Sequence, residues 1–282
     1  MLNVDKTYVL LTFDIDGETL WTSRDKINPI GPVMRSQGRY GPEVGLPRIL
    51  EVLKRYHILT TFFVTGQVAD YYTDHCRLIL DHGHEISHHN YYHEWPSKVE
   101  SDVERRDFER GLEAIRRLTG KTPPGYRAPG WEFSEVTFKL LMEHGIQYSS
   151  NMMDDEKPYE YTLDGQDTGI VELPCSWILD DAAFFMYGLT YNAPMSPPSH
   201  VLDQWRAEFD GLYAEEDGRV YVLTMHPQII GRPSRLAILE ELIQYIKAKP
   251  KSEFIRCENL VRLLKKSQNL PRKEYMGTEK FY

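Results

Sequence analysis

The sequence has few cysteines and no excess of basic residues, and each shortage excludes a class of protein. Its three cysteines, Cys76, Cys175 and Cys257, are widely spaced and form no CxxC pair. That spacing excludes a disulfide scaffold or a zinc ribbon and suits a reducing compartment. The formal net charge is −9, without a concentrated Lys/Arg stripe. Nucleic acids and anionic membranes are therefore poor candidates for partners.

Long apolar runs are also missing from the sequence. No stretch is long enough to span a bilayer. The N-terminal region has no basic segment and no cleavage site, and its apolar run at residues 8–13 is too short for a secretion signal. We therefore expect a cytoplasmic protein.

What the sequence does contain is an alternation of short apolar or β-branched runs with amphipathic helical patterns. The candidate strands are TYVLLTFD, ILTTFFVT, HEISHH, GYRA, QYSS, GIVELP, VYVLTMH and EFIRC. Helices are predicted in VGLPRILEVLKRYH, HCRLILDH, ERGLEAIRRLTG and SEVTFKLLMEHG, with cap residues at Ser134, Gly83, Gly120 and Gly145. This alternation predicts an α/β fold, a distorted (β/α) barrel of seven or eight strands, with an open doubly wound sheet as the alternative.

The organisation of the chain indicates a single domain. We predict a catalytic domain over residues 1–264 and a C-terminal tail over residues 265–282. Two long segments, Glu18–Gly45 and Ile178–His200, lack a periodic pattern and are predicted to be irregular. Segments of that length in a compact domain commonly serve as lids or interface elements. We expect them to cover the barrel mouth and to favour a small, enclosed substrate.

The stretch HEISHHNYYHEW, residues 84–95, contains two histidine pairs with i, i+4 spacing, His84/His88 and His89/His93. In a strand, residues four apart are separated by about 13 Å and cannot share one ion. Gly83 ends the preceding helix, so we expect His84 to His88 to form the strand. His89 and His93 then lie where the backbone turns and their side chains can converge on a metal. The alternative is a surface histidine cluster without ligands.

The first strand ends in Phe-Asp-Ile-Asp-Gly, with Asp14 and Asp16 on the same face because they are two residues apart. Two such carboxylates repel each other unless a cation or a proton lies between them. One carboxylate can bind a metal while the other acts as a base on water. The alternative is a DxDG turn with local side-chain capping.

Two further strand ends carry candidate catalytic groups. Arg127 ends the strand GYRA, where it is placed to hold Asp14 ionised, and the following Trp131 is placed to wall a pocket. His226 ends the strand VYVLTMH and suits a general acid. Each alone also fits another role, as a solvated arginine or a hydrogen-bonded core histidine.

The order of these motifs resembles the polysaccharide deacetylase superfamily, also known as the NodB or carbohydrate esterase 4 family. The motifs are TFDIDG, HHNYYH, RAPGW and LTMHP, and the resemblance covers about residues 7–257. It implies a distorted (β/α) barrel with one divalent metal, often zinc, although cobalt, nickel, iron or manganese also suit such ligands. The resemblance implies metal binding by Asp16, His89 and His93. It also implies Asp14 as general base, Arg127 as the residue that orients it, and His226 as general acid.

Details of the motifs are similar to one branch of that superfamily. FDIDG, SSNMMDDEKPY and VELPCSWILDD resemble a cytoplasmic branch with Helicobacter-type peptidoglycan deacetylase homologues, allantoinase-like proteins and cyclic-imide hydrolases. The resemblance implies an acidic residue that tunes His226, for which Asp154 or Asp155 is the candidate. It also implies a homo-oligomer, often a tetramer.

These residues predict a metal-dependent hydrolase of C–N bonds other than peptide bonds. We favour ring opening of a small cyclic amide or imide, because an imide nitrogen leaves as an amide and depends less on His226. N-deacetylation of acetylated amino sugars is the alternative. Candidate substrate contacts are Trp131, Met152, Met153, Trp177 and Asp155.

Two function classes outside hydrolysis stay open at this point. One carboxylate with two histidines is also the ligand set of non-haem iron oxygenases. A catalytically inactive binding protein could keep the same barrel. The second carboxylate Asp14 and its predicted partner Arg127 fit hydrolysis better than either.

Overall fold

The structure, a computed structural model, describes residues 6–23, 31–187, 195–215, 218–267 and 270–277. A ten-stranded sheet lies at its centre. The strands are β1 (Thr7–Ile15), β2 (Thr61–Val64), β3 (Glu85–His88), β4 (Gly125–Tyr126), β5 (Tyr148–Ser149), β6 (Tyr159–Leu163), β7 (Gln166–Glu172), β8 (Val220–Met225), β9 (Ser252–Phe254) and β10 (Arg272–Glu274).

Helices separate most of the strands. They are α1 (Thr19–Thr22), α2 (Pro32–Tyr40), α3 (Leu46–Tyr56), α4 (Gly66–Tyr71), α5 (Thr73–Asp81), α6 (Ser101–Thr119), α7 (Glu135–Glu143), α8 (Asp181–Phe185), α9 (Pro198–Glu215), α10 (Pro227–Ile230), α11 (Pro233–Lys247) and α12 (Cys257–Ser267). A π-helical turn, Gly41–Gly45, joins α2 to α3. None of the described helices combines the length and the apolarity that a bilayer crossing requires.

The strand order is β10-β6-β7-β5-β4-β3-β2-β1-β8, with β9 beside β1. The pairs are parallel, except that β6 and β7 form an antiparallel hairpin. After β7 the chain reaches β8 through a parallel bridge between Asp180 and Thr224. Asp180 lies beyond the end of β7, so this bridge returns the chain to the side of β8, and the described strands include no direct pair between β7 and β8. The predicted mainly parallel α/β architecture is confirmed.

Strand β1 positions the site because it is buried over its whole length and lies between β2 and β8. Such continuous burial is typical of a parallel strand covered on both faces. Its apolar side chains alternate between two core clusters, with Val9, Leu11, Phe13 and Ile15 in one and Tyr8 and Leu10 in the other. Asp14 shares the face of Leu10, so the period of the strand directs its carboxylate to the interior.

The predicted helix ends are confirmed. The Ser134 hydroxyl accepts hydrogen bonds from the backbone N–H groups of Val136, at 2.9 Å, and Thr137, at 3.2 Å. Gly83, Gly120 and Gly145 follow helices with φ values of +79°, +73° and +69°. These left-handed conformations favour glycine and end a helix at little cost.

The two segments predicted to be irregular contain helices, so that prediction is wrong where the structure describes them. Residues 18–45 include α1, α2 and the π-helical turn, and residues 178–200 include α8 and the start of α9. Proline and glycine obscured the helical pattern, yet Pro32 and Pro198 occupy first helical positions, where proline is tolerated. Residues 24–30 and 188–194 of these segments lie outside the described residues.

Two strands were not predicted from the sequence, β6 and β10. They pair with each other in parallel at one edge of the sheet. The domain boundary predicted after residue 264 falls inside α12.

Candidate active site

Three buried side chains, Asp16, His89 and His93, meet beyond the ends of β1 and β3. Asp16 Oδ1 lies 3.3 Å from His89 Nε2 and 3.8 Å from His93 Nε2. One ligand atom from each residue lies within 4.8 Å of the others. The structure therefore brings the predicted ligands together.

Local backbone conformation explains why the two histidines converge. β3 ends at His88, and both Asn90 and His93 have positive φ, +57° and +61°. Asparagine adopts this left-handed region more readily than most residues. The chain therefore folds back over five residues as a loop rather than a helix, and the His89 and His93 rings approach to 5.1 Å between centroids.

The far nitrogens of both rings have partners that orient them. His89 Nδ1 lies 2.7 Å from the Arg127 carbonyl oxygen, and His93 Nδ1 lies 3.5 Å from Ser23 Oγ. Metal-binding histidines characteristically donate a hydrogen bond from their second ring N–H to such a group. This hydrogen bond fixes the ring and directs the other nitrogen at the ion. Both Nε2 atoms face Asp16 here.

The Asp16 carboxylate provides a test of whether these residues fit a metal. Its Oδ1 atom is buried and has no hydrogen-bond partner among the described residues. Burial alone would raise the pKa of Asp16, but His93 and His89 hold that pKa well below its usual range. An ionised oxygen buried without a hydrogen bond is costly, and a cation satisfies it. The one-carboxylate, two-histidine set fits a divalent cation with positions left for water or substrate.

Asp14 lies beside this cluster and is held by Arg127. Arg127 Nη1 donates to Asp14 Oδ1 at 2.8 Å, and Asp14 Oδ2 lies 4.0 Å from His89 Nε2. The fully buried guanidinium also donates to Thr12 Oγ1 and to Ser150, and it lies 4.2 Å from the Phe63 ring centroid. The predicted Arg127–Asp14 contact is therefore present.

His226 faces the same cluster from the end of β8. Its Nε2 lies 3.8 Å from Asp16 Oδ2, and its Nδ1 lies 2.6 Å from Asp181 Oδ1. Burial alone would lower the pKa of His226, but Asp181 and the neighbouring Asp180 raise that pKa well above its usual range. The ring therefore holds a proton beside the site, as a general acid must.

The prediction that Asp154 or Asp155 tunes His226 is wrong, because Asp181 does so. Both predicted residues instead bind Lys273 Nζ, at 3.0 and 2.9 Å. The adjacent Glu156 accepts a hydrogen bond from the Val220 N–H at the start of β8, whereas His226 follows the other end of that strand. The predicted contact of Asp155 with substrate stays a prediction. The signal that identifies Asp181 is the acidic pair in the quoted segment VELPCSWILDD.

The predicted substrate walls differ in their surroundings. Trp131 and Trp177 contact each other, with ring centroids 4.4 Å apart and an angle of 34° between planes. Trp177 is 49% exposed, so this pair presents an aromatic surface. Met152 packs against the core cluster that contains Phe138, and Met153 is exposed. Substrate binding by these residues stays a prediction.

Besides Asp181, the buried Gln228 is a residue of the site that was not predicted from the sequence. Its Nε2 donates to Asp16 Oδ2 at 3.4 Å. It follows His226 by two residues in α10, and no motif marks it.

The other histidine pair has structural surroundings. His84 Nδ1 accepts the Thr60 backbone N–H at 3.1 Å. His88 is fully buried between the rings of Phe108 and Tyr126, at centroid distances of 4.5 and 5.3 Å. Neither belongs to the Asp16 cluster, as the strand geometry predicted.

Comparison with known proteins gives a consistent result. The family model for polysaccharide deacetylase matches residues 39–149. A peptidoglycan deacetylase of Helicobacter pylori is 34% identical over 237 residues, covering 75% of this chain and 80% of that protein.

Solved structures are similar over nearly the whole chain. A Mycobacterium smegmatis protein assigned to the polysaccharide deacetylases has a TM-score of 0.88 at 35% identity, covering 98% of this chain and 96% of that chain. The Puue allantoinase has a TM-score of 0.80 at 23% identity, covering 93% and 91%. At 23% identity, the similarity to the allantoinase shows a common fold and nothing about activity.

Proposed function

Because the chain belongs to the polysaccharide deacetylase family, which includes a peptidoglycan deacetylase, we propose that it is a metal-dependent hydrolase of amides other than peptides. The observation that carries the proposal is the buried Asp16 Oδ1, which lies between two histidine nitrogens and has no hydrogen-bond partner among the described residues. A second carboxylate, Asp14, lies next to it and forms an ion pair with Arg127.

The residues divide the reaction between them. Asp16, His89 and His93 would hold a divalent cation, which when bound would supply Lewis acidity and lower the pKa of the attacking water. Asp14 accepts the proton of the attacking water while Arg127 holds its carboxylate in place. His226 then donates its Nε2 proton to the departing nitrogen, and Asp181 orients the ring through Nδ1.

A small cyclic amide or imide is the substrate that the cavities favour. A cavity of about 420 Å³ has Gln228 in its wall, and Gln228 contacts Asp16. That volume is within the range of small-molecule sites. The same fold occurs in an allantoinase, so it accommodates a hydrolase of non-sugar amides.

N-deacetylation of an amino sugar is the second candidate, and relatives support it at least as strongly. The Helicobacter pylori protein with 34% identity is a peptidoglycan deacetylase. The half-exposed Trp177 ring, which lies against the buried Trp131, also suits stacking against the apolar face of a sugar ring.

A substrate panel separates the two candidates. Purified protein is loaded in turn with zinc, cobalt, nickel, iron and manganese and incubated without oxygen with succinimide, hydantoin, N-acetylglucosamine and chitin oligomers. Ring opening is followed by chromatography and acetate release by an enzymatic assay, with Asp14→Asn protein as the blank. Ring opening without acetate release supports the cyclic substrate. Acetate release from the sugars alone reverses that ranking, and activity that needs oxygen contradicts hydrolysis.

Two further predictions belong with this proposal, a cytoplasmic location and a homo-oligomeric state. Fractionation of cells that express the full-length protein tests the first. Light scattering of the purified protein tests the second.

A further inference from the structure

A cavity of about 420 Å³ lies beside the Asp16 cluster and contains two arginines, Arg232 and Arg235. We infer that this cavity receives the far end of the substrate, and that this end carries a carboxylate. The inference rests on the proposed amide hydrolysis and names its substrate class, an amide or cyclic amide with an anionic substituent.

Gln228 connects the cavity to the reacting centre. It is 4% exposed, lines the cavity, and donates from Nε2 to Asp16 Oδ2 at 3.4 Å. Gln228 therefore lies between the cavity and the Asp16 carboxylate, one side chain away from the reacting centre.

The cavity also carries the positive charges of Arg232 and Arg235. Among the residues that the structure describes, those lining it include no aspartate or glutamate. Arg235 donates to two backbone carbonyl oxygens, both at 3.3 Å, and its charge interacts with the buried carboxylate of Asp181 outside the cavity walls. The Arg232 guanidinium lies 3.5 Å from the Tyr40 ring centroid and forms no ion pair with another described residue.

The geometry of these groups selects among anions. A guanidinium fork matches a carboxylate with two parallel hydrogen bonds, and an aromatic ring behind it holds the fork in one orientation. The remaining walls are apolar and include Trp21, Met34, Phe185 and Met186. A compact ligand with an apolar body, an amide at one end and a carboxylate at the other matches this distribution.

The neighbouring cavity provides a contrast within the same molecule. It has a volume of about 470 Å³ and contains Arg35 together with Glu18 and Glu94. Its positive charge is therefore offset by acidic groups in the same walls. Arg35 offers a matched control, because its substitution changes the net charge equally but leaves the first cavity intact.

Hydantoin and hydantoin-5-acetic acid test the inference, because they share a ring and differ by one carboxymethyl group. Their dissociation constants are measured by calorimetry on zinc-loaded protein, and ring opening is measured separately. A charge-assisted hydrogen bond is worth about 1.5–3 kcal/mol. We therefore expect the acid to bind roughly ten- to a hundredfold more tightly than hydantoin.

Three variants assign that preference to a residue. Arg232→Gln is expected to lose most of the preference for the acid while its affinity for hydantoin is unchanged. Arg232→Lys should retain part of the preference for the acid, and Arg35→Gln should show the same preference as the parent protein. Thermal unfolding of each variant verifies that it folds.

The outcomes separate this inference from the proposed function. The inference is overturned if the two compounds bind with equal affinity or if neither binds measurably. It is also overturned if Arg232→Gln weakens the binding of hydantoin and of hydantoin-5-acetic acid by the same factor. Ring opening of hydantoin without any preference overturns the inference alone. Charge-selective binding without hydrolysis of any amide in the panel supports the carboxylate site but contradicts the proposed reaction.

Discussion

At the residue scale, the two carboxylates of the first motif have different partners, and we expect their substitutions to have different effects. Asp14 is bound by Arg127, whereas Asp16 faces two histidines. Asp14→Asn keeps an oxygen for Arg127 but removes the proton acceptor, so turnover should fall by about 10²–10⁴ while bound metal stays constant. Asp16→Asn should lose the metal. Elemental analysis after dialysis and steady-state kinetics measure both, and unchanged turnover in Asp14→Asn would refute its role.

A second residue-scale prediction concerns Asp181, which positions His226 through Nδ1. If His226 protonates the departing nitrogen, its misorientation matters most when that nitrogen leaves poorly. Asp181→Asn should therefore slow an N-acetyl amine, whose leaving amine is strongly basic, by a larger factor than it slows succinimide. Metal content serves as the control. Equal rate losses for the two substrates would show that Asp181 has a general structural effect only.

His84 gives the protein a pH-dependent stability that is separate from the site. Burial lowers the pKa of His84 from its ordinary value of 6.5 to about 4, with a smaller contribution from His82. The unfolded chain therefore binds the proton more tightly, and stability is lost as pH falls from about 6.5 to 4, by about 3 kcal/mol at most. His84→Asn keeps an acceptor for the Thr60 N–H but does not titrate. Urea unfolding should show a shallower pH dependence in the variant, and identical slopes would contradict the assignment.

At the scale of elements, the π-helical turn Gly41–Gly45 supports the end of β8 through a close backbone contact. A Cβ atom on Gly45 would lie 2.1 Å from the Pro227 carbonyl oxygen, next to His226. Gly45→Ala should therefore lower the free energy of unfolding by about 1–3 kcal/mol, since the backbone cannot yield cheaply. Gly211 in α9 is the matched control, because a Cβ there meets nothing within 4 Å. Gly211→Ala should stabilise by up to about 1 kcal/mol, and similar effects in denaturant unfolding would refute the packing argument.

Elements differ in how far their sequences predict them. β1, β2 and β8 are fully buried, so their apolar runs mark them without reference to distant residues. β10 has the sequence RKE and is mostly exposed, and only its pairing with β6 makes it a strand. Local pattern predicts an element where burial dictates the residue type, and it fails where a distant strand supplies the hydrogen bonds.

At the scale of the whole molecule, the contrast between local pattern and distant contacts also explains which residues of the site could be predicted from the sequence. Asp14, Asp16, His89 and His93 lie at or just beyond strand ends, so a parallel sheet brings them together once the strands are recognised. The partner of His226 depends on a different fact, the route by which the chain from β7 reaches β8 through Asp180. The spacing of residues in the sequence contains no information about that route. Local pattern therefore marks the acidic pair that contains Asp181 but not its partner, and it marks Gln228 by no motif. The assignment of Asp154 or Asp155 to His226 was wrong for the same reason.

The C-terminal strand gives a prediction for the molecule as a whole. β10 pairs with β6, Lys273 binds Asp154 and Asp155, and the Tyr275 ring stacks on Phe138 at 4.0 Å between centroids. A chain that ends after residue 267 loses these contacts and uncovers the β6 edge, so its free energy of unfolding should fall by roughly 2–4 kcal/mol, most of it from the buried aromatic area. A chain that ends after residue 277 keeps them and should match the full-length protein in urea unfolding. Equal stability of all three chains would show that residues 268–282, within the predicted tail of residues 265–282, contribute nothing to the stability of the fold.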